Sequence, residues 1–127
     1  MLQRYLLTII VSVLCAFQIQ TTAAASNETI EHIVIIWLKQ PGNIHAQDTV
    51  IKASLALKTI PGVISLRSGK AVPSQRNIVD SSFDISLIIS LTNKAALDAY
   101  LAHPTHKKLL EEIMMPLVDR IRVYDVR

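Results

Sequence analysis

From Ile33 to Leu38 the chain reads Ile-Val-Ile-Ile-Trp-Leu, apolar at every position. Thr29-Ile30-Glu31-His32 lead into it, so Thr29 to Leu38 is expected to form one strand. Successive side chains of a strand point to opposite faces. A strand that is apolar at consecutive positions therefore has to be buried on both. The chain has 127 residues, which favours a single domain. A domain that small covers one face of such a strand with its own helices. The other face needs cover from elsewhere, and a second copy of the chain is the simplest supplier.

The rest of the chain alternates between strand and helix patterns. Pro41-Gly42-Asn43 is a turn. From Ile44 to Thr59, Ala46, Val50, Ala53, Leu57 and the following Ile60 recur at spacings of four and three, with Lys52 and Lys58 off the stripe. That is one face of an amphipathic helix, closed by Ile60-Pro61-Gly62. Val63 to Ala71 reads as a weaker strand, and Val72 to Asp80 as a polar, solvated loop flanked by Lys70 and carrying Arg76. In Ser82 to Leu91, Phe83, Ile85, Leu87, Ile89 and Leu91 alternate with Ser82, Asp84, Ser86, Ile88 and Ser90, the clearest strand of the chain. Thr92-Asn93 supplies an N-cap for a helix from Lys94 to Ala102. His103 precedes a proline and is biased out of the helical region, and Pro104 suits the first turn of a new helix. That helix is expected to run to about Met115 and stop at Met115-Pro116. Asp119 to Val126 is the last strand, with Ile121 and Val123 on one face and Arg120, Arg122 and Tyr124 on the other. The order β-α-β-β-α-β is that of an α+β, ferredoxin-like domain: a four-stranded antiparallel sheet with both helices on one side.

The first 25 residues are read apart from this domain. Arg4 is followed by an apolar run from Leu6 to Phe17, then polar residues, then Ala23-Ala24-Ala25-Ser26. This is the layout of a secretory signal peptide cut after Ala25, leaving a domain of residues 26–127. Retention as an anchor and lipidation at Cys15 are the other two readings. The run is short for a span of roughly 20 residues, and Leu14 is larger than the residue that usually precedes a lipidated cysteine. Cys15 is the only cysteine. Once it is removed, no disulfide, thiolate zinc site or cysteine nucleophile is possible, which fits a periplasmic or secreted bacterial protein. Without Arg4, 12 basic residues face 10 acidic ones, and no basic cluster exceeds Lys107-Lys108. That excludes a nucleic-acid-binding footprint.

Chemistry concentrates in Tyr100-Leu101-Ala102-His103-Pro104-Thr105-His106, which sets a phenol and two imidazoles around a chain break. With Glu31-His32-Ile33-Val34, Ile60-Pro61-Gly62-Val63, Phe83-Asp84-Ile85 and the terminal Tyr124-Asp125, this run resembles the stress-responsive A/B barrel (Dabb) family from roughly Ile30 to Val126. The resemblance implies a homodimeric α/β barrel, in which the sheets of two ferredoxin-like domains pair. Some members are plant stress proteins, and one closes a linear polyketide by aldol chemistry. By position, its working residues match His106 and Tyr100, with His32 nearby on the first strand. His103, Asp84 and Trp37 are the binding candidates.

Two functions follow as expectations. One is an exported barrel, stress-related or binding a small apolar or carbonyl-bearing ligand without catalysis. The other is a cofactor-free lyase or cyclase acting on a polyketide-like carbonyl substrate. A histidine in the first turn of a helix is held neutral by the helix dipole and is a usable base near neutral pH. A tyrosine hydroxyl could steady a developing enolate. The structural alternative is that His103 caps the broken helix, Tyr100 packs with its hydroxyl wet, His32 bonds to backbone, and the motif serves packing. The cyclase's aromatic pocket residue on the first helix matches Ala53 here, and a third-strand histidine matches Asp84, so its substrate does not carry over. No cofactor and no metal is expected. His32, His103 and His106 would have to ligate across the proline break, with no nearby carboxylate to complete the set.

Overall fold

The computed structural model describes residues 28–127. The signal-peptide segment, the cleavage point after Ala25 and Cys15 lie outside the described residues. The elements run β1 (Ile30–Leu38), α1 (Ile44–Ser54), a 3₁₀ turn (Leu55–Thr59), β2 (Val63–Lys70), β3 (Ile85–Leu91), α2 (Lys94–Ala102), α3 (Pro104–Leu109), a π turn (Leu110–Met114), α4 (Met115–Leu117) and β4 (Val118–Val126). The strands form one antiparallel sheet in the order β2-β3-β1-β4. This is the ferredoxin-like arrangement expected from the sequence.

Strand β1 shows why its pattern is so apolar. Ile30, His32, Val34, Ile36 and Leu38 are buried. They share the core with Ile85, Leu87, Ile89 and Leu91 of β3, and with Val50, Leu57, Leu97, Tyr100, Leu109 and Met114 from the helical layer. On the opposite face Ile33, Ile35 and Trp37 are only half covered. Their cross-strand partners on β4 are Tyr124, Arg122 and Arg120, and the Arg120 guanidinium lies 3.9 Å from the centroid of the Trp37 ring. Long polar side chains thus shade this face without sealing it.

Turn chemistry fixes the helices against the sheet. Asn43 caps α1 by accepting from the Ala46 amide, and Asn93 caps α2 by accepting from the Ala96 amide. Gly62 has φ +89, and a Cβ there would lie 2.7 Å from the Cβ of Ala96. Only glycine lets α2 sit this close to the turn.

Three local features depart from the sequence reading. The first helix tightens to 3₁₀ after Ser54, and Ser54 is fully buried while Ala53 is only half so. The Ser54 hydroxyl donates to the Ile51 carbonyl at 2.8 Å, which removes the cost of burying it. Strand β3 begins at Ile85, not Ser82, because the Asp84 side chain is turned inward to bind the β1–α1 turn. The last helix does not stop at Met115-Pro116 but reaches Leu117. Pro116 lacks the amide that a regular turn needs. The chain widens before it, and the Met115 amide donates to the Leu110 carbonyl five residues back. Lys39 then takes up the free end, donating from Nζ to the Met115 carbonyl at 2.8 Å and from its backbone amide to Leu117 at 2.9 Å.

Candidate functional site

The break at His103 has a local cause and a geometric effect. His103 is extended (φ −67, ψ 138), as a residue before proline prefers. Its Nδ1 accepts from the Thr105 amide at 3.2 Å, so the side chain caps α3. Pro104 opens α3 as its first residue. Tyr100 at the end of α2 and His106 in the first turn of α3 are thereby folded towards each other, with ring centroids 4.8 Å apart. His32 comes from β1 below, its ring centroid 5.5 Å from that of Tyr100 in an edge-on arrangement. The three catalytic candidates therefore meet.

They meet at a cavity of about 180 Å³ between the sheet and the broken helix. Its remaining wall is apolar, with Val34 and Leu87 below, Leu109 and Met114 above, and Ile121 and Val123 at the side. Ile121 and Val123 lie on the helix-facing side of β4 but are 37% and 45% exposed, because no helix reaches over this edge strand. The cavity opens there. The π turn contributes Leu110 and Met114 to the wall, so the widened turn that accommodates Pro116 also shapes the cavity.

The three polar groups are held differently. His32 is buried, and its Nδ1 lies 2.6 Å from Asp125 Oδ1 on the neighbouring strand. With Nδ1 donating to the carboxylate, Nε2 is left as the lone-pair nitrogen. Tyr100 is buried, and that burial pushes its phenol far up. The hydroxyl therefore stays protonated and is a donor. His106 is half-buried and its pKa is pushed below the ordinary imidazole value, first by burial and then by His32; the Leu101 carbonyl acts weakly the other way. Its Nδ1 is buried and has no hydrogen-bond partner among the described residues. A neutral imidazole with an orphaned nitrogen beside a protonated phenol is a proton acceptor next to a hydrogen-bond donor, on the wall of an apolar space. That pairing suits polarisation of a carbonyl and removal of the proton beside it.

The other binding candidates lie elsewhere. Asp84 is buried at the far end of β1, where its carboxylate accepts from the Leu38 amide at 2.9 Å, the Gly42 amide at 2.6 Å and Gln47 Nε2 at 3.3 Å. Trp37 is on the opposite face of the sheet, where its Nε1 donates to Ser82 Oγ at 3.1 Å and its ring meets Phe83 edge-on. His103 spends its Nδ1 on capping α3. Among the described residues no three histidine, aspartate or glutamate side chains come together in a way that could hold a metal ion.

Asp125, named in the sequence only as part of the last strand's resemblance, was not read as a site residue. Its signal was present in the alternation of β4: stepping two residues on from Ile121 and Val123 reaches Asp125, on the same face. Only the pairing of β4 with β1 puts it opposite His32.

The family model for the stress-responsive A/B barrel domain matches residues 30–127. Solved structures share the fold. A Dabb family protein with a ferredoxin-like fold from Mesorhizobium loti is 19% identical, with 78% of this chain and 95% of that chain covered and a TM-score of 0.65. A dimeric ferredoxin-like protein of unknown function from Thermobifida fusca is 20% identical, covering 80% and 92%, at a TM-score of 0.64. A hydroxynitrile lyase from Passiflora edulis is 18% identical, covering 79% and 93%, at a TM-score of 0.67. No curated protein sequence matches the chain. Identities this low carry the fold and no more, whereas the family match spans nearly all the described residues. This chain belongs to the stress-responsive A/B barrel (Dabb) domain family.

Proposed function

We propose that this protein binds a small carbonyl-bearing molecule in the cavity beneath the broken helix and transfers a proton on it without a cofactor. The observation that carries this is the buried, unpartnered Nδ1 of His106 beside Tyr100 and His32. Buried polar atoms are nearly always satisfied, and an orphan is costly to keep. A ligand whose entry shifts the His106 ring enough to reach this enclosed nitrogen removes the cost. In this reading the Tyr100 hydroxyl donates to the carbonyl oxygen, and neutral His106 takes the proton from the adjacent carbon. His32, oriented by Asp125, provides a second lone pair close to Tyr100 through which that proton can pass on. A hydroxynitrile lyase built on the same fold supports the idea that such a scaffold can host lyase chemistry.

The test needs no knowledge of the natural substrate. Simple methyl ketones are incubated with the protein in heavy water, and exchange of their α-protons is followed by NMR. Exchange well above that of the His106→Ala variant is expected. Equal rates in the two proteins would sink the catalytic reading. Saturable ketone binding without exchange would leave the coarser one, a binding barrel acting in stress tolerance.

We further propose that the working form is a homodimer exported from the cytoplasm. The half-covered face of Ile33, Ile35 and Trp37 supports pairing, as does the dimeric description of the Thermobifida fusca protein. Sedimentation at the mass of one chain would count against it. The charge and hydropathy layout of the first 25 residues supports export, and an unprocessed N-terminus on protein recovered from the cytoplasm would count against it.

A further inference from the structure

Two spaces flank α3, and one side chain stands between them. On the sheet side is the cavity of about 180 Å³. On the outer side, between α1 with its 3₁₀ turn and the helical segment after Pro104, runs an open groove of about 600 Å³. Small residues, Ala53 and Ala56, form one bank; Lys108, Glu112 and Ile113 lie on the other. Leu109 lines both spaces and is buried.

Resting on the proton-transfer reading of this site, we infer that the ligand is a neutral carbonyl compound with a short apolar tail, about six to eight carbons in all, and that Leu109 sets this limit. The size follows from the space: an apolar cavity of about 150 Å³ holds one benzene molecule, and this one is slightly larger. Neutrality follows from the walls. Among the described residues no lysine or arginine lines the cavity, so a carboxylate tail or head would be buried without a counter-charge. The Asp125 carboxylate beside His32 adds repulsion. A longer tail either leaves by the open edge at Ile121 and Val123, where its further methylenes stay in water and add no affinity, or displaces Leu109 into the groove, whose small-residue bank leaves room to receive it.

The experiment is calorimetric titration of the protein with 2-alkanones from butanone to decan-2-one, with hexanoate as the charged comparison. Affinity is expected to rise about fourfold per methylene, the value of one buried CH₂, up to heptan-2-one or octan-2-one and then to stop rising. In Leu109→Ala the rise should continue to decan-2-one. Because that variant removes a core side chain, Leu109→Val is measured alongside, where the break should move by about one carbon. Hexanoate should bind at least about tenfold more weakly than hexan-2-one. Affinity that keeps rising to decan-2-one in the wild type, or no shift of the break in either variant, overturns the role of Leu109. Hexanoate binding as tightly as hexan-2-one overturns neutrality. In each of these cases ketones still bind and exchange, so the proton-transfer reading survives. If no ketone binds and none exchanges, that reading and the inference built on it fail together.

Discussion

Asp84 and His106 are both polar groups set into the core, one near each end of the sheet, and they are treated in opposite ways. The Asp84 carboxylate receives two backbone amides and a glutamine amide. Every donor near it is spent on holding the β1–α1 turn to the start of β3. His106, which lines a cavity that a small molecule could fill, has a buried nitrogen with no partner among the described residues. A saturated buried group has nothing left to offer a ligand and works as structure. An unsaturated one retains its hydrogen-bonding capacity at a cost in stability, as binding and catalytic groups do. Position in the family motif did not separate the two; hydrogen-bond satisfaction did.

The contrast can be broken most forcefully at His106. His106→Leu should lower ketone α-proton exchange by about 10²–10⁴-fold. Its unfolding free energy should stay within about 1 kcal/mol of wild type, because it deletes an unsatisfied group. Next in size, Asp84→Ala should lower stability by about 2–4 kcal/mol in denaturant titration, since the buried Leu38 amide is left unpaired and the Gly42 amide and Gln47 lose the acceptor that holds the turn. Ketone affinity of the folded fraction should be unchanged. If Asp84→Ala were neutral and His106→Leu strongly destabilising, the assignment of structure and site would be reversed. Tyr100→Phe should weaken ketone binding by about tenfold, the loss of one buried hydrogen bond to the ligand, with little change in the melting temperature.

Two smaller effects sharpen the picture. Asp125→Asn should alter stability by no more than about 0.5 kcal/mol, because the carboxylate is 45% exposed and solvent screens the pair. It should still slow exchange by loosening the His32 tautomer. The pH dependence has a definite sign. An unfolded imidazole gains its proton near 6.5, whereas His106 in the fold resists protonation below that value. The unfolded chain therefore binds more protons in this window, so acidification from 6.5 reduces stability until His106 itself titrates. His106→Leu should remove that slope, and the acid limb of exchange in the wild type should lie below 6.5.

Much of the fold was legible because it rests on local and periodic rules. The alternation of Ile85 to Leu91, the Asn93 cap and the His103-Pro104 break each leave a direct mark in the sequence, and each is where the pattern put it. Elements failed where a long-range contact overrode the local rule. Asp84 shortened the third strand because its partners lie on the β1–α1 turn. Pro116 failed to stop the helix because Lys39, just after β1, binds the carbonyls of Met115 and Leu117. The site was half legible. Tyr100 and His106 lie six residues apart across a visible break, so their approach could be reasoned. Asp84 and Trp37, the other binding candidates, face other neighbours.

The sequence by itself determined the strand and helix order, the ferredoxin-like class and the bend that turns Tyr100 towards His106, since these depend on residues close along the chain. Only the tertiary structure decided that His32 is oriented by Asp125, 93 residues away, that Leu109 lies between a small cavity and an open groove, and that Asp84 is satisfied while His106 is not. Hydrogen-bond satisfaction and enclosed volume depend on which distant side chains meet. Local periodicity carries no record of that meeting.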